Sequence, residues 1–342
     1  MGHITIKDIA RLSGVSISSV SRALNDQPGV APEIRKKVLS IAQAKGYRRN
    51  SLARSLSGQK SGLLGCIISD LDNPLFADTF LVLEQMASRR NYHVMLCHGR
   101  IEDPEIPNLL DFLTGQHVDG ILAVTSCRRA PEVLRDYAQR VPFLVQGTLD
   151  CPEEGLPFSM VCVDNAAGGR MAAEYLFRMG HRNVVYLGLR EASASHALRC
   201  RSFTERAHQL GMTVTVLRNE AASSTIEIGW KLAKQFFLDP VPATAIFASC
   251  DVLALGVIAA AHEFDLSIPE DISLLSFDNI GYAALPHIRL TTLDPQKEVL
   301  AAAAIDSLLS RIEHPGLPVQ PPILIPPILV ERSSCRDLHS SR

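Results

Sequence analysis

Over residues 5–25 the apolar positions recur at helical spacing and the polar ones gather on one side. Ile6, Ile9, Ala10 and Leu12 give a first helix one apolar face. Thr5 stands three residues before Asp8, the spacing of a capping box. Gly14 ends that helix, because glycine takes the positive φ of a sharp turn, and Val15 fills the corner. Ser16 is placed to cap a second helix. On it Val20, Ala23 and Leu24 face the first, which leaves Ile17, Ser18, Ser21, Arg22 and Asn25 pointing outward. A third helix is predicted over 31–45, with Pro32 in its first turn, Val38, Ile41 and Ala42 inside, and Gly46 at its end. Asn50 then opens a short pattern with Leu52, Ala53 and Leu56, too brief to hold as a helix alone in water.

From residue 63 the period changes. Apolar runs of strand length (63–68, 92–96, 120–124, 142–145, around 160, 184–187, 213–217, 245–247 and 272–277) alternate with helical patterns (76–89, 107–114, 131–140, 165–179, 198–210, 226–237 and 252–264). Alternating β and α implies parallel sheets covered by helices on both faces. The run contains about two such sets, with a break near 161–165. Residues 291–293 and the proline-rich 315–327 are expected as crossings between two lobes, and the helical stretch 299–312 is expected with the first lobe. Paired lobes of this kind bind ligands in the crevice at the carboxyl ends of their strands.

Charge sharpens the division. Residues 1–60 hold eleven Lys/Arg against three Asp/Glu, whereas the remainder holds 23 against 33 and the whole chain of 342 residues carries −2. A basic head on an acidic body implies a polyanionic partner for the head alone. Serines and an arginine on one helix face are the groups that reach base edges and phosphates in a major groove. The plainer alternative is a helical hairpin with a solvated face. The coincidence of cap, turn glycine and basic surroundings favours DNA.

Other classes find less support. The amino terminus lacks a basic segment followed by an apolar run, and no apolar segment is long enough to span a bilayer. A cytoplasmic protein with no membrane partner is therefore expected. Eight scattered cysteines (66, 97, 127, 151, 162, 200, 250 and 335) form no CxxC pair and read as reduced, mostly buried thiols. Nucleophile-elbow, HExxH, P-loop and Gly-x-Gly-x-x-Gly signatures are missing, so neither an enzyme nor a cofactor or metal is expected. His93, His98 and His181 read as structural or surface residues. A solute receptor would share the two-lobed body but not the basic head.

Thr5-Ile-Lys-Asp8-Ile-Ala10, Gly14-Val15-Ser16, Val20-Ser21-Arg22, Asn25, Val30, Arg35, Gly46-Tyr47, Asn50 and Ala53-Arg54-Ser55-Leu56 together resemble the LacI/GalR family of bacterial transcription regulators. The resemblance runs ungapped over the head and more loosely to about residue 333. It implies an α/β fold class: a small all-α helix-turn-helix head plus two doubly wound parallel-sheet lobes, a body like that of periplasmic binding proteins. The implied domains are a head at 1–48, a hinge helix and linker at 49–62, and a body at 63–335. Lobe 1 is expected at about 63–161 plus 293–320, and lobe 2 at about 162–291 plus 321–335. Implied DNA contacts are Thr5, Ser16, Ile17, Ser18, Ser21, Arg22, Asn25, Tyr47, Asn50, Ala53, Arg54 and Leu56, with Leu56 wedged between base pairs of a bent site. The implied function is a sequence-specific regulator, most often a repressor, acting as a homodimer on a pseudo-palindromic operator in double-stranded DNA. The segment after Glu331 carries no heptad, so a tetramer through a coiled coil is not expected.

The body carries the resemblance at Val163-Asp164-Asn165, Gly180-His181-Arg182, Asp251-Val-Leu-Ala-Leu-Gly256, Ser276-Phe277-Asp278-Asn279 and Leu290-Thr291-Thr292. Carried over residue by residue, the contacts to a small polar effector, a sugar or phosphosugar, are Ser69, Phe76, Arg199, Asp251 and Asp278. An arginine fork and accepting carboxylates suit vicinal hydroxyls or a purine-like polar edge; the alternatives are that Asp278 and Asp251 only cap the local turn and helix, and that Arg201 is the pocket residue while Arg199 makes a surface ion pair. Three places depart from the family pattern. Cys250 stands for a frequent asparagine, Gln146-Gly147 for a frequent aspartate, and Ser223-Ser224 where a stacking aromatic is often found.

Overall fold

The computed structural model describes residues 4–24, 26–47, 60–127, 132–149, 156–189, 193–219 and 223–339. The chain divides into two units, Met1–Ser61 and Gly62–Arg342. In the first unit α1 (Ile6–Ser13), α2 (Ile17–Leu24) and α3 (Pro32–Ala44) enclose Ile9, Val20, Ala23, Leu24 and Val38. The expected caps are formed. Thr5 Oγ1 accepts from the Asp8 amide at 3.4 Å while the Thr5 amide donates to Asp8 Oδ2 at 3.0 Å. Gly14 takes φ 72°, and the Ser19 amide donates to Ser16 Oγ at 3.1 Å. Leu12 differs from expectation: it is exposed, and Ser13 takes the inward place beside Ile9 and Ala10. A 3.6-residue repeat puts residues 6, 9, 10 and 13 on one stripe and turns 12 away from it. Arg35 fastens the loop before α3, pairing with Asp26 at 2.6 Å and donating to the Gln27 carbonyl at 2.5 Å. The expected short helix from Asn50 lies outside the described residues.

The second unit is built from two six-stranded sheets. The first contains β1 (Leu63–Ile68), β2 (His93–His98), β3 (Gly120–Cys127), β4 (Phe143–Leu149), β5 (Ser159–Val163) and β11 (Ile323–Ile325), in the order β2-β1-β3-β4-β5-β11, all parallel. Helices α4 (Pro74–Ser88) and α11 (Lys297–Glu313) cover one face, and α5 (Ile106–Gly115) and α6 (Glu132–Arg140) the other. The second sheet contains β6 (Asn183–Leu189), β7 (Thr213–Asn219), β8 (Ala245–Ala248), β9 (Ser273–Phe277), β10 (Thr291–Asp294) and β12 (Ile328–Val330), in the order β7-β6-β8-β9-β10-β12. Its faces carry α7 (Asn165–Arg178) with α8 (Ala194–Gln209), and α9 (Ile226–Leu238) with α10 (Asp251–Glu263). Only β12 runs antiparallel to its neighbour among the described pairings. The central strands β1, β3, β4, β6 and β8 are largely apolar because both faces are covered, whereas the edge strands β2 and β7 are partly exposed.

The chain passes between the sheets after β5, after β10 and after β11. Two of these passages correct the expected lobe boundaries. Residues 291–294 are a full strand of the second sheet, so the passage follows at Pro295-Gln296 rather than at 293. Residues 323–325 pair with β5, so the third passage lies at Pro326-Pro327 rather than at 320. Three isolated apolar residues between prolines carry no periodicity that assigns them to either sheet. The passages are tied to one another. The Asp164 amide donates to the Ile325 carbonyl at 2.8 Å, and Gln296, at φ 62°, donates through Nε2 to the Pro326 carbonyl at 2.7 Å.

Helices α9 and α10 touch backbone to backbone. A Cβ on Gly229 would stand 2.2 Å from the Leu253 carbonyl oxygen, and one on Gly256 would stand 2.2 Å from that of Ile226. Main chain cannot yield as a side-chain tip can, so Gly256→Ala should force the helices apart and cost about 1–3 kcal/mol. Urea denaturation measures this. Gly115→Ala, with nothing within 4 Å of its Cβ, serves as the neutral control, and equal midpoints for the two variants would refute the close crossing.

Candidate functional site

The head presents its polar face along α2. Ile17, Ser18 and Arg22 are exposed there, with Ser21 half-buried between them and Thr5 and Ser16 exposed at the helix starts. Ile17, Ser18, Ser21 and Arg22 follow the spacing that keeps residues on one side of a helix. Thr5 and Ser16 already use their hydroxyls as caps, and Ser16 Oγ lies 2.8 Å from Ser18 Oγ. Tyr47 is half-buried against the head's apolar core. Asn25, Asn50, Ala53, Arg54 and Leu56 lie outside the described residues.

In the body the carboxyl ends of both sheets face a common crevice. Two adjoining open cavities occupy it, of about 480 and 560 Å³ counting the solvent at their mouths. Phe76, Thr125 and Ser126 line both. The outer one also takes Ser69, Asp70 and Arg100 from the first lobe, and His196, Ser223 and Ser224 from the second. The inner one is mostly apolar, with Leu75, Val161, Val163 and Leu300, and its polar lining includes Gln146, Asn165, Arg199 and Lys297.

A file of hydroxyl groups joins the lobes across this crevice. Ser126 Oγ lies 2.9 Å from Ser193 Oγ and 2.8 Å from Ser195 Oγ, and it accepts from the Ser195 amide at 3.0 Å. Ser195 Oγ donates to Thr148 Oγ1 at 2.9 Å, which also accepts from Asn165 Nδ2 at 2.9 Å. Asn165 Oδ1 then accepts from Arg199 Nε at 2.6 Å. Ser126 and Thr148 come from strand ends β3 and β4; Asn165 and Ser195 come from the first turns of α7 and α8.

Arg199 is 5% exposed and fully engaged on its buried side. Its guanidinium stacks 3.5 Å from the Phe277 ring centroid, Nη1 donates to the Ser249 carbonyl at 2.6 Å, and Asp278 Oδ1 lies 3.7 Å away. Burial pushes the Asp278 carboxyl up to about 7; Arg199 opposes that shift and Asp251 adds to it. Lys297 Nζ donates to the Asn279 carbonyl at 2.8 Å.

The five residues expected to meet an effector therefore separate. Ser69, Phe76 and Arg199 come together on the cavity walls. Asp278 sits directly behind the guanidinium and lines neither cavity. Asp251 is fully buried and braces the fold: Oδ1 accepts from Thr292 Oγ1 at 2.7 Å and Oδ2 from the Ile280 amide at 2.9 Å. Sequence reasoning missed Ser126, Thr148, Ser193, Ser195, His196 and Lys297. The ends of β3 and β4 were marked by the rule that ligands bind at strand termini, but isolated serines carry no further signal. Among the described residues no group of His, Cys, Asp and Glu could hold a metal ion, and no helix is long and apolar enough to cross a membrane. Cys66, Cys127, Cys162, Cys200 and Cys250 are buried, while Cys151 lies outside the described residues.

His196 gives the crevice a pH signature. Its Nδ1 lies 2.8 Å from Ser249 Oγ, and burial followed by the Arg199 charge lowers its pKa to about 3. An unfolded chain protonates this histidine near pH 6.5. Between about 6.5 and 3 the unfolded state thus binds the proton that the folded state refuses, and stability falls as pH falls. The contribution lost by pH 5 is about 2 kcal/mol. Asp251 and Asp278, with pKa values raised to about 6 and 7, act in the opposite sense: their share of stability is present at low pH and lost as pH rises through those values. His196→Asn isolates the histidine. Urea midpoints at pH 5 and 8 should differ less in the variant's favour at pH 8 than at pH 5; parallel curves would show that the imidazole accepts its proton without unfolding.

Comparison with known proteins agrees with this architecture. Residues 5–50 match the family described as bacterial regulatory proteins, lacI family, and residues 173–335 match a periplasmic binding protein-like domain. An HTH-type transcriptional repressor PurR of Glaesserella parasuis serovar 5 is 32% identical over 345 residues, covering 98% of this chain and 99% of that protein. The ribose operon repressor of Escherichia coli K12 is 28% identical over 331 residues, covering 96% and 99%. These relatives are transcriptional repressors, not enzymes. A crystal structure of the lac repressor dimer bound to operator superposes with a TM-score of 0.87 at 22% identity, covering 98% of this chain and 100% of that one. A head with the helix-turn-helix match and a two-lobed body with the binding-protein match, found together in a full-length relative above 30% identity, mean that this chain belongs to the LacI family of DNA-binding, effector-regulated transcription regulators.

Proposed function

We propose that the chain is a cytoplasmic homodimeric repressor. It reads a pseudo-palindromic operator through the α2 face, and a small polar effector held between the lobes sets its operator affinity. The observation that carries the effector half is the buried Arg199, anchored on one side by Asn165, Ser249 and Asp278 and open on the other to the inner cavity. Structural relatives support a sugar-class ligand: one is a CelR–cellobiose complex, and another, from Enterococcus faecium, holds ribose. Ser69, Phe76 and Arg199 are the contacts we assign, with Asp278 acting through Arg199. For DNA we assign Ser18, Ser21 and Arg22 to base edges and phosphates, with Ile17 beside them, and Thr5, Ser16 and Tyr47 to the backbone. Asn25, Asn50, Ala53, Arg54 and Leu56 are assigned to DNA by resemblance alone. The lac repressor dimer on its operator supports the two-fold reading.

Two measurements test the halves separately. Arg22→Ala should weaken binding to a selected operator by about 1–3 kcal/mol and spare random DNA; equal losses on both would reject base reading. Arg199→Ala should abolish the thermal stabilisation that a bound effector gives and the effector's influence on operator affinity, because a ligand shifts an equilibrium only by its differential affinity for the two states. A variant that still responds fully would move the effector site out of the crevice.

A further inference from the structure

We infer that Lys297 is a positioning residue for Arg199: from the first turn of α11, in the first lobe, its ammonium pins the turn Asp278–Asn279 of the second lobe, against which the guanidinium is set. This rests on Arg199 being the effector contact. The turn can be measured without any effector, so either reading can fail without the other.

The turn has an unusual main chain. Asp278 takes φ 112° and Asn279 φ 46°. Asparagine enters the left-handed region readily, but an aspartate at 112° is held there by its surroundings. Within the second lobe the Asp278 amide donates to the Leu293 carbonyl at 2.8 Å. Asn279 donates through Nδ2 to Asp294 Oδ2 at 2.7 Å and accepts at Oδ1 from Arg332 Nη2 at 2.8 Å. The two main-chain carbonyls are met from the other lobe. Lys297 Nζ donates to that of Asn279 at 2.8 Å and to that of Asp278 at 3.4 Å.

Lys297 also stands where a cation is disfavoured on local grounds. It is the first residue of α11, at the positive end of the helix dipole, and the N-cap Gln296 gives that end no side-chain bond. The carbonyls of 278 and 279 compensate, because each presents its negative end to the ammonium. A departure from local preference of this kind marks a residue held in place for a non-local reason.

The turn in its turn carries the anchor of Arg199. The Phe277 ring centroid lies 3.5 Å from the guanidinium, and Asp278 Oδ1 stands 3.7 Å from Nη1 with no hydrogen bond among the described residues. A carboxylate oxygen at that distance is placed mainly by its own main chain, and that main chain is what Lys297 bonds. The charges facing the Asp278 carboxyl are Arg199 from α8, Asp251 from α10, Asp294 from β10 and Lys297 from α11. Burial raises its pKa to about 7, with the two aspartates adding to the shift and the two cations opposing it. Lys297 lowers the Asp251 carboxyl as well.

The test uses the full chain without ligand. Hydrogen exchange followed by mass spectrometry reads the segment 278–280, whose amides are bonded to the Leu293 carbonyl, Thr292 Oγ1 and Asp251 Oδ2. Lys297→Met keeps the length of the side chain and removes the donor, and it should speed exchange there about tenfold. Lys297→Arg keeps the charge and the donors and should restore most of the protection. Glu298→Gln, exposed next to it, should change nothing. Unchanged exchange at 278–280 in Lys297→Met overturns the inference, as does a rise spread evenly over the second unit. A Lys297→Arg variant no better protected than Lys297→Met overturns it too.

A pH profile separates charge from packing. Asp278 and Asp251 have folded pKa values of about 7 and 6, above the unfolded value, so their share of stability is lost as pH rises through the folded values. Without the Lys297 ammonium both values rise further, and the loss runs on to higher pH. The gap in urea midpoint between wild type and Lys297→Met should therefore widen from pH 5 to pH 9. A constant gap would place the ammonium away from these carboxylates and overturn the inference. In every case the effector role of Arg199 stands or falls separately, on the response of Arg199→Ala.

Discussion

The second unit depends on one buried cation. A guanidinium out of water is tolerated only when its charge is countered and its N–H groups are bonded. Arg199 meets this demand with four groups from three places: Asn165 at the start of α7, the Ser249 carbonyl after β8, and the Phe277 ring and Asp278 carboxylate at the end of β9. Satisfying one side chain of α8 therefore ties two strand ends to one helix start. The file of hydroxyls continues from Asn165 through Thr148 and Ser195 to Ser126, so the same demand reaches the first lobe.

That continuity bears on control. The links across the crevice include hydroxyl–hydroxyl and hydroxyl–amide bonds, each of modest net worth, and a charge-assisted bond from Lys297 Nζ to the Asn279 carbonyl. The interior of each lobe is different: aromatic and branched side chains such as Tyr186, Phe203 and Phe247 pack within the sheet-and-helix layers. The three passages near 164, 295–296 and 326–327 are bonded to one another and carry the αL residue Gln296. A ligand that bonds both walls shifts operator affinity only by its differential affinity for two arrangements of the lobes.

Much of this was legible in the sequence. The capping pair Thr5 and Asp8, the turn at Gly14 and the cap at Ser16 are local, and local chemistry determined them. The alternation of strand and helix placed every long element of the body because each is periodic over many residues. What escaped was short or non-local. Residues 323–325 could join either sheet until the pairing with β5 was seen. Leu12 looked like part of an apolar stripe that it misses by about a third of a turn. The hydroxyl file joins positions 126, 148, 165 and 195, which no spacing rule connects. Gln146-Gly147 and Ser223-Ser224 did stand out as departures from the family pattern, and both pairs line the crevice.

The two aspartates show why residue type alone does not settle a role. Both are buried, and burial raises both pKa values. Asp251 is fully buried, lines neither cavity and has each oxygen engaged by its own chain, so it holds the Ile280 amide and the Thr292 hydroxyl against α10 rather than meeting a ligand. Asp278 keeps Oδ1 free of any hydrogen bond among the described residues and holds Arg199 only across 3.7 Å. If an effector hydroxyl is to reach it, the guanidinium must give way or the lobes must separate, since Asp278 lines neither cavity. Contact with Asp278 is then coupled to a change of state, whereas contact with the open side of Arg199 is not. An effector that makes both contacts distinguishes two conformations of the body by the difference, and that difference is the whole of the free energy available to alter DNA affinity.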